Sequence, residues 1–347
     1  MTNPSHRAVI MGLGYIGGAD QVSGDALGQL VVDLDGTHID ALANHPRVDV
    51  VAGSSRDLGR RQRFTERTGI GTYADWREML EQEKPDIVGV ATYTPVHKEM
   101  TVACARQGVR AILCEKPIAN TAADGHDMVD ACEAAGSLLA INHNRRYNPN
   151  YRRLRDHIAA GGLGELTSVT AQWSSGRLGN VGTHVFDAIR CVTGRRVEAV
   201  SGTLDLAGKP DCRGPAFQDP GGWGVMRLEG GLMTTVDAAD YACVPMVIGF
   251  NGTEGRATTG GEEVRIEYWD GRSEEWPSPR AQATSMDVAV VEIVDWLEGT
   301  APFPYPAVEA VETLEAIAGF HLSHARSGAW VELPLKGEDR NHVVNSG

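Results

Sequence analysis

Short apolar runs separated by amphipathic stretches pattern the first 142 residues. Ala8–Met11, Val48–Ala52, Ile87–Ala91, Ala111–Cys114 and Leu138–Ile141 read as buried strands, and the segments between them carry helix boundaries. Thr94-Pro95 caps and opens one helix that Gly108 stops; Asn120/Thr121 opens another that Gly136 stops. This alternation predicts βαβ units around a parallel sheet. Near residue 148 the period changes. Asn148 caps a helix with Pro149 in its first turn and Gly161-Gly162 at its end, and two-residue alternation then takes over. It runs through Thr167–Trp173, Ala199–Leu206, Gly224–Leu228, Leu232–Ala239 and Val264–Trp269, as expected of a mostly antiparallel sheet with one buried face. Two late helices, near Ser285–Leu297 and Ala307–Ser327, are expected to cover that face. The fold class is α/β, with a doubly wound parallel domain over residues 1–142 and an α+β domain with a large, open sheet over 143–347.

Composition narrows the partners. The 347 residues are 42% hydrophobic and 22% charged, enough for two domains with sizeable cores. Thirty-two Lys and Arg against 46 Asp and Glu leave a net charge of −14, which opposes nucleic acid and anionic membrane surfaces. Six cysteines form no C-x-x-C pair, and one lies in the apolar run ending at Cys114, so buried thiols in a reducing compartment are expected. Met1 to Arg7 are polar and no apolar run approaches the ~18–20 residues of a membrane span. A cytoplasmic location is the expectation.

The first strand runs into Gly12-x-Gly14-x-x-Gly17, followed by what reads as helix. Glycines at this spacing permit the turn, let a pyrophosphate approach the backbone and let strand and helix pack closely, which makes the segment a dinucleotide cradle. Gly12, Gly14, Tyr15, Ile16 and Gly17 are its candidate cofactor-binding residues. The second strand is a choice between Val31–Asp35, which has the usual spacing, and Val48–Ala52, which leads into a basic helix. The second is preferred, with residues ~18–37 as an excursion inside the first βα unit. Ser54, Ser55 and Arg56 then stand at the adenine ribose, where hydroxyls and a guanidinium suit a 2′-phosphate. NADP is the expected cofactor; NAD is possible, with Asp57 or Asp33 as the ribose acid.

Cys114-Glu115-Lys116-Pro117 closes a buried strand, at the edge where open α/β sheets bind ligands, and Thr92-Tyr93-Thr94-Pro95-Val96-His97 follows the preceding strand. With Thr72-Tyr73-Ala74-Asp75-Trp76, Pro85-Asp86-Ile87-Val88, Arg145-Arg146-Tyr147-Asn148-Pro149, Gly164-Glu165 and Gly182-Thr183-His184-Val185-Phe186-Asp187, these motifs follow an order that resembles the Gfo/Idh/MocA oxidoreductase family, relatives of glucose–fructose oxidoreductase and inositol dehydrogenase. The resemblance covers most of the chain. It implies an N-terminal Rossmann domain, a C-terminal sheet domain that often mediates homodimers or homotetramers, and NAD(P)-dependent hydride transfer on a sugar or cyclitol hydroxyl. By matched position, Lys116 resembles the lysine touching both nicotinamide ribose and the reacting hydroxyl, and His184 the general acid/base. Thr92, Tyr93, Thr94, His97 and Glu115 fall beside the cofactor. An aspartate that inositol-dehydrogenase-like members carry four residues before the histidine is Asn180 here, which holds no charge and gives Lys116 weight as the base.

Asn144, Arg145, Trp173, Arg177, Asn180, Thr183 and Tyr241 would line the substrate by the same matching, an inventory of amide, guanidinium and aromatic groups that suits a monosaccharide, glycoside or cyclitol. The turn-rich segment from Asp211 to Trp223 is either a lid or an oligomer contact. No metal cluster is indicated. Beside hydride transfer stand two alternatives, an NAD-dependent glycosidase working by transient oxidation and elimination, and a cofactor-binding regulator without catalysis.

Overall fold

The computed structural model describes residues 5–24, 30–207, 217–239 and 244–346. Two compact units result, and neither is a single stretch of chain. The first comprises Met1–Ile118, His126–Asn142 and Ala283–Val308; the second comprises Ala119–Gly125, His143–Gln282 and Glu309–Gly347.

In the first unit, strands β1 (His6–Met11), β2 (Val48–Ser54), β3 (Gly71–Tyr73), β4 (Ile87–Val90), β5 (Ala111–Cys114) and β6 (Leu138–Ile141) form one sheet in the order β3-β2-β1-β4-β5-β6. Every pairing is parallel. This is the doubly wound arrangement expected from the apolar runs; only β3, three residues with a glycine and a threonine, escaped the pattern. Of the two candidates for the second strand, Val48 onward is the strand, whereas Val31–Asp33 is a single 3-10 turn. The excursion ends at Thr37, whose hydroxyl accepts from the amide of Asp40 and caps the helix His38–Asn44. One register row, Ser54, Met11, Val90, Cys114 and Ile141, crosses the sheet, so the residues after it form its carboxyl rim.

The late helix Ser285–Glu298 corrects the expectation that it covers the antiparallel sheet. It belongs to the first unit, where Met286, Val290, Ile293, Val294 and Leu297 join one cluster with Ala8, Ile10, Ile39, Leu42 and Phe64. Burying such side chains favours folding by roughly 1.5–3 kcal/mol each, which outweighs the distance in sequence. Polar ties fix the docking: Asp35 Oδ1 accepts from Ser285 N at 2.7 Å, Arg47 pairs with Glu298 at 2.8 Å, and Arg110 donates to the Leu297 carbonyl at 2.7 Å.

In the second unit nine strands line up as β14-β13-β12-β11-β7-β10-β9-β8-β15. They are β7 (Leu166–Gln172), β8 (Val197–Asp205), β9 (Gly221–Leu228), β10 (Leu232–Ala238), β11 (Val247–Gly252), β12 (Gly255–Thr259), β13 (Val264–Tyr268), β14 (Ser273–Trp276) and β15 (Val331–Glu332). All neighbours are antiparallel except β7 and β10. The helix Val308–Ala325 does lie on this sheet. Phe320 fills the space left by Gly202 and Gly224 and stacks on Phe186 of the helix Thr183–Thr193 at 5.6 Å between ring centres.

Candidate active site

The rim of the parallel sheet begins with Gly12, which adopts φ +98° and donates its amide to the Ser54 carbonyl at 2.9 Å. A Cβ at Gly12 would stand 2.3 Å from the Ala91 carbonyl oxygen, and one at Gly17 would stand 2.0 Å from that of Gly12. These two positions therefore accept only glycine, as a dinucleotide cradle requires. The helix behind it is one turn, Tyr15–Gly18, because Ala19 turns left-handed at φ 54° and the chain departs on its excursion. Tyr15 is buried and Ile16 half-buried against the core.

The excursion is tied down at its start. Asp20, buried, takes a two-pronged ion pair from Arg63 at 2.6 and 2.9 Å, and Arg67 bonds the Gly18 carbonyl. Burial alone would raise the Asp20 carboxyl; the hydrogen bonds and charges of Arg63, Val22 N and Arg60 hold it below its ordinary range. At the end of β2, Ser54 is buried, Ser55 half-buried and Arg56 exposed. Asp57 spends its carboxylate as the cap of the helix Leu58–Thr68, accepting from Arg60 N at 2.8 Å, and Asp33 accepts from Leu30 N within its own turn. Both acids read as alternative ribose ligands thus have local partners.

Further along the rim, Tyr93 is exposed, Thr92 half-buried and Thr94 buried. His97 differs from its expected role beside a cofactor. It is fully buried, with Nδ1 3.0 Å from the Pro117 carbonyl and Nε2 3.0 Å from that of Thr92, so it ties two rim loops together from beneath. Burial pushes its imidazole down despite these carbonyls. Glu115 and Lys116 end β5. Glu115 is buried and its Oε1 accepts from Asn142 Nδ2 at 2.7 Å and lies 3.1 Å from His38 Nε2; Lys116 beside it is half-buried.

In the second unit, His184 occupies the first turn of the helix Thr183–Thr193 and is half-buried. A wider, π-type turn, Leu178–Gly182, leads into it and carries Asn180. Asp219 braces this turn, accepting from Gly179 N at 2.6 Å and from Asn180 N at 2.8 Å. Arg177 opens the turn in the left-handed region at φ 60°. Next to His184 runs a buried polar chain: Thr183 Oγ1 lies 3.0 Å from His143 Nε2, and His143 Nδ1 lies 3.1 Å from Asp187 Oδ1. Arg146 grips the same carboxylate at 2.6 Å. Burial would raise the Asp187 carboxyl, yet the Arg146 charge and then His143 hold it well below the usual range.

Two residues expected on a substrate wall serve the interior instead. Trp173 is 1% exposed, with its indole N–H on the Gly176 carbonyl at 2.6 Å and its ring edge on Phe186; Thr183, 2% exposed, faces His143. Asn144 and Arg145 are half-buried, and the Arg145 guanidinium donates to the Asn144 amide oxygen at 3.4 Å and the Met246 sulfur at 3.3 Å. Tyr241, like residues 211–216 of the turn-rich segment, lies outside the described residues. Sequence reading missed His38 and Asp219. An isolated glycine inside a strand, Gly89, was the available signal for the first, since it marks a close approach.

Residues 33–143 match the model of the family described as "Oxidoreductase family, NAD-binding Rossmann fold". Over this stretch the chain is similar to the NAD-binding domain of the Gfo/Idh/MocA family. Among curated relatives, a 1,5-anhydro-D-fructose reductase of Ensifer adhaerens is 36% identical over 117 residues, 33% of this chain and 35% of that protein. The rhizopine catabolism protein MocA of Rhizobium meliloti is 32% identical over 171 residues, 46% and 53% of the two chains. The chain thus spans about a third to a half of the length of these family members. The fold match is broader: a structure of the WlbA dehydrogenase from Bordetella pertussis in complex with NADH and UDP-GlcNAcA is 20% identical, with a TM-score of 0.77 over 97% of this chain and all of that one.

Proposed function

We propose that this protein is an oxidoreductase that moves a hydride between a nicotinamide dinucleotide, preferably NADP, and a hydroxyl or keto carbon of a monosaccharide, glycoside or cyclitol. One observation carries the reading. The glycine cradle and the Glu115–Lys116 pair stand on the same rim of one parallel sheet, β1 and β5 being separated only by β4. That rim offers backbone amides and a Cβ-free surface to a pyrophosphate, and an ammonium to a reacting oxygen. Gly12, Gly14 and Gly17 would hold the pyrophosphate, and Ser55 and Arg56 the 2′-phosphate. Bound there, the nicotinamide would supply the hydride acceptor.

The chain's own residues handle the proton and the oxygen. As a carbinol is oxidised its hydroxyl proton must leave, and the group taking it should titrate near neutrality, as an imidazole does unaided. His184 takes the proton while the Lys116 ammonium donates a hydrogen bond to the oxygen; with Asn180 uncharged, Lys116 in its amine form is the alternative acceptor. Asn180, Asn144 and Arg145 bind further hydroxyls. The 1,5-anhydro-D-fructose reductase among the relatives supports a sugar-type substrate class.

Cofactor reduction on a panel of monosaccharides, glycosides and inositols at alkaline pH tests the reading. Net NAD(P)H formation with at least one of them is expected, lost in Lys116→Ala. Absence of turnover across the panel, or full turnover in Lys116→Ala, contradicts it. Replacing Arg56 with Ala should weaken NADP binding about tenfold and leave NAD unchanged, the scale of one charge-assisted hydrogen bond, measured by fluorescence titration.

A further inference from the structure

One fully buried imidazole has no part in the reading so far. His38 is the first residue of the helix His38–Asn44, reached after the excursion, and it is 0% exposed. Its Nε2 lies 3.1 Å from Glu115 Oε1, the oxygen that also accepts from Asn142. Its Nδ1 has no hydrogen-bond partner among the described residues and instead lies against the backbone of β4, where a Cβ on Gly89 would come within 2.6 Å of it. Four separate stretches of sequence, the capped helix, the middle of β4 and the ends of β5 and β6, are thus fitted around a single imidazole–carboxylate contact. A residue that only filled space here would need neither the glycine beneath it nor an alignment onto a buried oxygen.

We propose that His38 is a positioning residue of this active site, anchoring the buried Glu115 carboxylate so that it stands fixed beside Lys116. The proposal rests on the role given to Lys116 above. Burial by itself raises the Glu115 carboxyl, and the His38 hydrogen bond, then the Lys116 charge and the Asn142 amide, bring it below the ordinary range. The titratable groups facing it are His38 from the helix, Lys116 and Cys114 along the strand end, and His97 from the neighbouring rim loop. Donation from Nε2–H to the carboxylate leaves Nδ1 facing Gly89, where no hydrogen-bond partner stands among the described residues. Without the imidazole the carboxylate keeps one amide donor, and its charge costs more to hold in a dry site.

Whole protein, wild type against His38→Gln and His38→Leu, tests this in two ways. Glutamine offers an amide N–H at the reach of Nε2; leucine offers none. In the absence of cofactor, acid titration of the Glu115 carboxyl stretch by infrared spectroscopy, assigned with Glu115→Gln, should give matching midpoints for wild type and His38→Gln and a midpoint at least about one pH unit higher for His38→Leu. In turnover, His38→Leu should lose roughly tenfold in kcat, with the acid limb of kcat/KM moved upward and the KM for cofactor unchanged. If His38→Leu does not fold, His38→Asn, whose amide falls short of Glu115, takes its place. A folded variant lacking the donor with the wild-type midpoint overturns the proposal, as does His38→Gln behaving like His38→Leu. A protein that turns over nothing contradicts the proposed function, and the infrared comparison still decides whether His38 governs Glu115.

Discussion

Arg146 and Asp187 are withdrawn from water, with side-chain exposures of 4% and 1%, and the guanidinium holds the carboxylate at 2.6 Å. Removing one member of such a pair strands a buried charge, at a cost of about 3–5 kcal/mol. Arg146→Met should therefore lower the urea midpoint steeply, and Arg146→Met combined with Asp187→Leu should recover much of the loss; equal midpoints for the single variant and wild type would contradict the pairing. Because the Asp187 carboxyl is held below its unfolded value, its contribution is present above about pH 4 and lost as pH falls. Residues of this kind were legible to different degrees. Glu115 and Lys116 were readable because a charged pair directly after an all-apolar strand has only the sheet rim to occupy. Trp173 and Thr183, matched by motif to a substrate wall, have buried side chains with interior partners that no local pattern announces. His38 went unread because nothing local distinguishes a helix-start histidine; its partners are 51 and 77 residues away, at Gly89 and Glu115.

Among the elements, the helix Val308–Ala325 carries a buried acid. Glu315 is 2% exposed, and burial pushes its carboxyl up to about 7 against the opposing Leu335 amide. Native protein then binds more protons than unfolded protein between roughly pH 4.5 and 7, so this group's contribution falls as pH rises through that window. Glu315→Gln should raise Tm at pH 8 by on the order of 2–4 °C and leave it unchanged at pH 4.5, by calorimetry. Equal gains at both pH values would mean that charge is not the cause. Periodicity found most elements of this fold and lost several strands. Glycines interrupt or open β11 and β12, β15 is only two residues long, and all three pair with neighbours that hold them in place. The excursion after Gly18 was legible, since Val48 onward is the better strand and leads into a basic helix; the single turn at Tyr15–Gly18 was not, because nothing at Ala19 announces a left-handed residue.

At the scale of the molecule, the change of pattern near residue 142 marks a change of architecture, while the first unit takes part of its core from residues 283–308. Apolar residues of a helix report that it is buried and not against which sheet, so periodicity alone had no means of assigning Ser285–Glu298. A fragment ending at residue 142 should accordingly expose the strip that Val290 and Ile293 cover, bind a hydrophobic dye and unfold without cooperativity, and adding the peptide 283–308 should restore a cooperative transition. A fragment that melts cooperatively by itself would contradict that dependence. The proposed function stands on Lys116 and His184 acting together in one step of hydride transfer. A double-variant cycle on single-turnover cofactor reduction, with a sugar that the wild type oxidises, measures this directly. Lys116→Ala and His184→Ala should each slow the step by roughly 10²–10⁴-fold, and together by little more than the worse of the two, as groups acting as a unit do. Losses that multiply independently, or a near-wild-type rate in either single variant, would contradict it.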